Sequence, residues 1–225
     1  MRRLSVIGIA MSAMALCAVA ARTQNSGAAS KPGVSVITFD LFWEAATPQK
    51  FTITVDSSGR TRYVSHDQKE PQGDPDDYEV EFAMSGANRN RIFQLARDAN
   101  YFNGKFDYTA HRIANTGRKT LTYRSTSQNF ETTYNWSENK NIDQLTRVFE
   151  GISNTVEHGR KLQFLRRFDK LGLEKELKGM EELAANNELA EIQVIAPVLE
   201  NIANDSSVLN IARQRARRLL ALNPS

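Results

Sequence analysis

The spacing of apolar residues changes once along this chain, near Gly159, and that change most constrains the fold. Before it, apolar positions recur every second residue in several short runs. After it, they recur only at helical spacing. Strands gathered into one half and helices into the other predict an α+β fold. The expected architecture is an antiparallel sheet of about five strands packed with two helices, followed by a C-terminal all-α segment of three to four helices.

Residues 34–43 are β-branched and aromatic, and residues 51–55 alternate apolar and polar as a half-buried strand does. Asp56-Ser57-Ser58-Gly59 reads as a hairpin turn in which Gly59 takes a positive φ, with residues 61–65 as the return strand. Residues 68–77 form a polar, proline-containing loop. Tyr78, Val80, Phe82 and Met84 then alternate with Glu79, Glu81 and Ala83. Ser85 caps a helix whose buried stripe is Ile92, Phe93, Leu95 and Ala96, ended by Asn100. Residues 119–124 and 129–135 form a second hairpin. Ser137 or Asn139 opens a long helix marked by Ile142, Leu145, Phe149, Ile152 and Val156. Past Gly159 the expected helices are 161–170, 173–185, 188–203 with a kink or split at Pro197, and 206–221.

The N-terminus reads as an export signal. Arg2 and Arg3 precede an apolar, small-residue stretch to Ala20, and Ala18-Val19-Ala20 before Ala21 has the small-x-small pattern of a cleavage site. Cleavage is expected between Ala20 and Ala21, with a retained N-terminal anchor as the alternative. Bulky Leu16 before Cys17 argues against lipid attachment. The chain therefore divides into a signal peptide (1–20), a Ser/Gly/Ala-rich linker (21–33), an α+β domain (34–159) and a C-terminal helical region (160–225). The expected location is periplasmic or extracellular, with no transmembrane span in the mature chain.

Cys17 is the only cysteine, so a chain cleaved after Ala20 carries no disulfide, thiolate metal site or cysteine nucleophile. Loss of Arg2 and Arg3 leaves +1 of the formal +3 charge, which gives no reason to expect nucleic acid as a partner.

Residues 51–159 resemble a group of uncharacterised secreted bacterial domains. The resemblance is carried by the hairpin Thr54-Val55-Asp56-Ser57-Ser58-Gly59, the helix end Ala99-Asn100-Tyr101-Phe102 and the strand Thr120-Leu121-Thr122-Tyr123. Related domains often have a cysteine pair ahead of the first hairpin. This chain has Glu44-Ala45-Ala46-Thr47-Pro48 there, so the resemblance implies no redox or metal role for that corner and no activity to carry over. In the tail, Ala196-Pro197-Val198-Leu199 to Asp205 and then Ile211 to Leu220 look like one helical-hairpin unit of an α-solenoid, which needs neighbours to bury its faces.

No recognised catalytic pattern stands out. His66, His111 and His158 have no partners at metal-ligand spacing and read as surface or capping residues. Asp74, Asp76 and Asp77 lack the alternate spacing of a calcium loop and read as a solvated acidic loop. No serine lies in a nucleophile-elbow context. Two candidate binding surfaces remain. One is the polar aromatic segment with Tyr101, Phe102, Phe106, Tyr108, His111 and Arg112, in which Tyr108, His111 and Arg112 are the candidate contacts. The other is basic: Arg213, Arg215, Arg217 and Arg218 near the end, with Arg160, Lys161, Arg166 and Arg167 at the junction. Arg213 and Arg217 are the candidate contacts to an anionic envelope component or a protein, and Glu174, Glu176, Glu181 and Glu182 are competing intramolecular partners.

The expected function is a non-catalytic binding or interaction module of the bacterial cell envelope, without cofactor or metal. The alternative is a hydrolase whose carboxylates or histidine assemble only in space. A deep cleft with converging, pKa-shifted acids would favour the hydrolase, and a flat surface the module.

Overall fold

The computed structural model describes residues 33–67 and 76–222. Six strands, β1 (Val36–Phe42), β2 (Lys50–Asp56), β3 (Arg60–Asp67), β4 (Asp76–Ala83), β5 (Arg118–Arg124) and β6 (Asn129–Tyr134), make one antiparallel sheet in the order β4-β3-β2-β1-β5-β6. The expected α+β class is observed, with six strands in the sheet. β1 lies inside it, so Phe39 sits opposite Ile53 on one side and Leu121 on the other. Because side chains alternate across a strand, Ile37, Phe39, Ile53, Tyr63 and Leu121 all fall on one face and are fully buried. The opposite face carries Thr38, Thr52, Thr54 and Thr120 and is the wetter side.

The first hairpin is set by its turn. Asp56 Oδ1 accepts from the backbone N–H groups of Ser58 (2.9 Å) and Arg60 (3.1 Å), and Gly59 takes φ +93°. Helix α1 (Gly86–Asp98) starts at Ser85, whose Oγ accepts from Asn88 N. It ends in a turn, Asn100–Phe102, whose three residues all have positive φ. Such backbone costs non-glycine residues roughly 1–2 kcal/mol each. Complete burial of Phe102 and the Tyr101–Tyr123 ring contact at 4.6 Å offset it.

Helix α2 (Lys140–Phe168) is capped by Asn139, whose Oδ1 accepts from Asn141 N and Ile142 N. Its 29 residues span roughly 43 Å. The first half lies on the sheet, with the Phe149 ring stacked on Phe39 at 5.0 Å. The helix does not stop at Gly159, contrary to the sequence expectation. A Cβ there would stand 2.2 Å from Ile195 Cγ2, so the glycine makes room for a packed side chain instead of ending the helix. The rest of α2 belongs to a second core, in which Leu162 packs with residues of α3 (Gly172–Ala185), α4 (Ala196–Asn204) and α5 (Asn210–Leu220).

Three further expectations change. Residues 188–195, expected as α-helix, end instead in a 3₁₀ turn, Ile192–Ile195, and the expected split falls there, with Pro197 in the first turn of α4, where its missing N–H costs nothing. The last helix starts at Asn210 rather than 206, because Asp205 accepts from Ser207 N (2.9 Å) and holds a turn. Asp76 and Asp77 belong to β4, in register with Asp67 and His66, and not to a loop. Asp74, the signal segment and the Ala20–Ala21 junction lie outside the described residues. Among the described residues no helix is long and apolar enough to cross a membrane.

Candidate functional site

Helix α2 carries a second stripe beside its apolar one. Asp143, Arg147, Glu150, Asn154, Glu157 and Lys161 recur at alternating spacings of four and three, which puts them on one face. Antiparallel pairing brings the end of β1, the start of β2, the end of β3, the start of β5 and the end of β6 to the same end of the sheet. The polar stripe and these strand ends enclose a cleft of about 1070 Å³. Trp43, after β1, and Trp136, after β6, both line it, and they are the only tryptophans in the chain. The Trp136 indole is 41% exposed.

At one part of the cleft the α2 acids are tied to the sheet. Glu157 Oε1 accepts from Tyr63 Oη (2.8 Å) and Ser65 Oγ (2.6 Å), while the Tyr63 and Ser153 hydroxyls lie 3.0 Å apart. Burial, reinforced by the Glu157 charge, raises the Tyr63 phenol well above its ordinary value. This network fastens α2 across β3. Asp143 is likewise engaged, by Arg147 Nε at 3.0 Å.

Lys119 and Glu150 differ. Lys119 has the strand parity of Leu121 and Tyr123, so its side chain points inward and is only 4% exposed. Its ammonium donates to Thr116 O (2.7 Å), Thr116 Oγ1 (3.1 Å) and Asn135 O (3.1 Å), which uses all three donors. Burial pushes its pKa down, and the nearby Glu150 charge opposes that. Glu150, half-buried on α2, accepts no hydrogen bond from any described residue. Burial pushes its carboxyl up, with Lys119 and Arg147 opposing and Asp143 reinforcing. An acceptor with up to four lone-pair sites therefore faces the cleft without a donor.

The candidates from sequence lie elsewhere or play a supporting part. Tyr108 packs edge-on against Trp136 at 5.1 Å and 82°, and its N–H donates to Trp136 O. It thus positions a cleft tryptophan from behind. His111 and Arg112 are exposed and do not reach the cleft. In α5, Arg217 Nη2 donates to Ala203 O (2.9 Å), capping the end of α4, and Arg213 Nη2 reaches Asn210 Oδ1 (3.4 Å). Arg215 pairs with Glu174 and Glu181, and Arg218 with Glu181, so acids of α3 take up these arginines. His66 pairs with Asp77, and His158 with Glu176 at 2.5 Å. Among the described residues no group of three or more acidic, histidine or cysteine side chains is placed to hold a metal.

Trp43, Trp136, Lys119 and Glu150 were not among the sequence candidates. Two signals were available: the inward parity of Lys119, and the four-three repeat of polar residues along α2. No protein-family model matches this chain and no curated protein matches it, so the resemblance to secreted bacterial domains rests on the sequence features alone.

Proposed function

We propose that this chain is an exported binding module of a bacterial envelope that takes its ligand in the cleft between α2 and the strand ends. The observation that carries the reading is Glu150, a carboxylate without a donor facing an aromatic-walled cleft. A half-buried carboxylate that no protein donor reaches is incompletely satisfied, and a ligand that donates to it recovers part of that cost. The size of the cleft, about 1070 Å³, is at the upper end for small-molecule sites.

The hydrolase reading has one observation in its favour, the upward shift of the Glu150 carboxyl, which suits a general acid. Among the described residues no nucleophile–base pair accompanies it, while Asp67 at the end of β3 is the further acid that the sheet brings to the cleft wall. Of the other acids on α2 at the cleft, Asp143 is held by Arg147 and Glu157 by Tyr63 and Ser65. Ser153 is engaged by Tyr63 and His158 by Glu176, so neither stands as a nucleophile-base pair. Binding is the better supported use of the site.

The test is to incubate the full chain with a fractionated envelope extract, recover it, and identify retained and altered compounds by mass spectrometry. The expected result is a compound retained by the natural chain and lost with Trp136→Ala. Equal retention by both overturns the cleft as the binding site. A compound cleaved by the natural chain but intact with Glu150→Gln establishes the hydrolase instead.

A further inference from the structure

Resting on the cleft reading, we infer that the ligand is a neutral saccharide, stacked on Trp43 and Trp136 and donating hydroxyl hydrogen bonds to Glu150. The charge pattern selects it. Among the cleft-lining groups on α2, Asp143 is paired with Arg147, and Glu157 has Arg160 at 3.9 Å besides its two hydroxyl donors. Lys161 pairs with Glu176 at 2.6 Å.

An anionic ligand would therefore find its most buried cation, Lys119, already saturated by three oxygens, and would meet Glu150 unscreened by any hydrogen bond. A cationic ligand would face Glu150 but also the positive charge of Lys119, which acts on that carboxylate. Lys119 is buried, so its charge is weakly screened and repels a cation placed beside Glu150. What remains favourable is a neutral molecule rich in O–H donors.

The walls add the second requirement. Phe51 and Tyr134 line the cleft along with the two indoles, so the ligand must also present apolar surface. A pyranose ring does both: its C–H face stacks on an aromatic ring, and its equatorial hydroxyls donate outward. Aromatic faces give area at little conformational cost, and one carboxylate fixes orientation. Tyr108, braced against Trp136, limits the motion of that platform.

The two tryptophans make the test direct, since any fluorescence change reports from the cleft wall. The full chain is titrated with maltotetraose, cellotetraose and tetra-N-acetylchitotetraose, and separately with spermidine and citrate as charged probes. The expected result is a saturable change with at least one saccharide at millimolar concentration and none with spermidine or citrate. Trp136→Ala, read through Trp43, weakens that affinity by about tenfold or more. Glu150→Ala does the same, with circular dichroism and melting confirming that each variant folds.

Response to spermidine or citrate, and to no saccharide, overturns the saccharide and leaves cleft binding standing. Silence towards every probe, while Trp136 still governs retention of a compound from the envelope extract, also overturns the saccharide alone. Silence in both experiments overturns the cleft reading with it.

Discussion

Gly159 shows how one hydrogen atom decides a packing. Alanine is the better helix former by about 1 kcal/mol, so on propensity alone Gly159→Ala would stabilise α2. The added Cβ would stand 2.2 Å from Ile195 Cγ2, closer than atoms can approach, and a tight 3.1 Å from Ile195 Cβ. Overpacking of this kind costs about 1–3 kcal/mol. A 2.2 Å approach belongs at the severe end of that range, so after the propensity gain urea unfolding of Gly159→Ala is expected to show a net loss of about 2 kcal/mol. Adding Ile195→Ala should restore part of it, because the clash and the cavity share the same space. A neutral or stabilised single variant would mean that Ile195 simply moves aside. In the sequence this glycine looks like the end of a helix, since its reason lies in a residue brought near only by folding. Lys119 was more legible: a lysine at inward parity between Leu121 and the strand start marks either an error in the strand or a buried cation with partners.

Between elements, the main clasp is Glu191, which begins the 3₁₀ turn Ile192–Ile195 at φ 60° and is 4% exposed. Its carboxylate accepts from Ser85 N (2.8 Å), Ser85 Oγ (2.6 Å) and Asn88 Nδ2 (2.6 Å), so an acid from the tail caps the N-terminus of α1. A negative charge there also meets the positive end of the helix dipole. Glu191→Ala is expected to destabilise by about 2–3 kcal/mol, the scale of a lost charge-assisted hydrogen bond in a buried site. Hydrogen exchange should speed up at the first turn of α1 as well as in the Ile192–Ile195 turn. Faster exchange in the tail alone would count against the clasp. The elements it joins were legible to different degrees. Hairpin turns and caps at Asp56, Ser85 and Asn139 follow from local chemistry and could be read directly. The continuity of α2 across two cores could not, because glycine is a weak helix former wherever it stands. The cleft was least legible, since the residues that build it come from five strand ends and one helix face.

For the molecule as a whole, the shifted carboxylates divide into two groups with opposite pH dependence. Burial pushes Glu176 up, but hydrogen bonds from His158 and Lys161 outweigh it and hold the carboxyl below its ordinary value. Glu181 and Asp56 follow the same pattern, through Arg218 and Arg215 and through Ser58 and Arg60. Acids lowered in the fold contribute stability above their ordinary pKa and lose it as pH falls through the folded value. Glu150 is raised in the fold, so its contribution runs the other way: stability declines as pH climbs from the ordinary glutamate value of 4.5 through the folded value. Melting temperature should therefore peak in the mildly acidic range and fall on both sides. Glu150→Gln is expected to remove the part of the decline that begins near 4.5 and raise stability at neutral pH by about 1 kcal/mol, since an amide needs no charge desolvated, while the raised phenols of Tyr63 and Tyr134 keep a decline at alkaline pH. Glu176→Gln should flatten the acid limb instead. If Glu150→Gln lowers neutral stability, the carboxylate is already satisfied and the cleft has no unmet acceptor to offer. If it raises stability while weakening saccharide binding, the cost that Glu150 imposes on the empty fold is the same free energy that a ligand recovers.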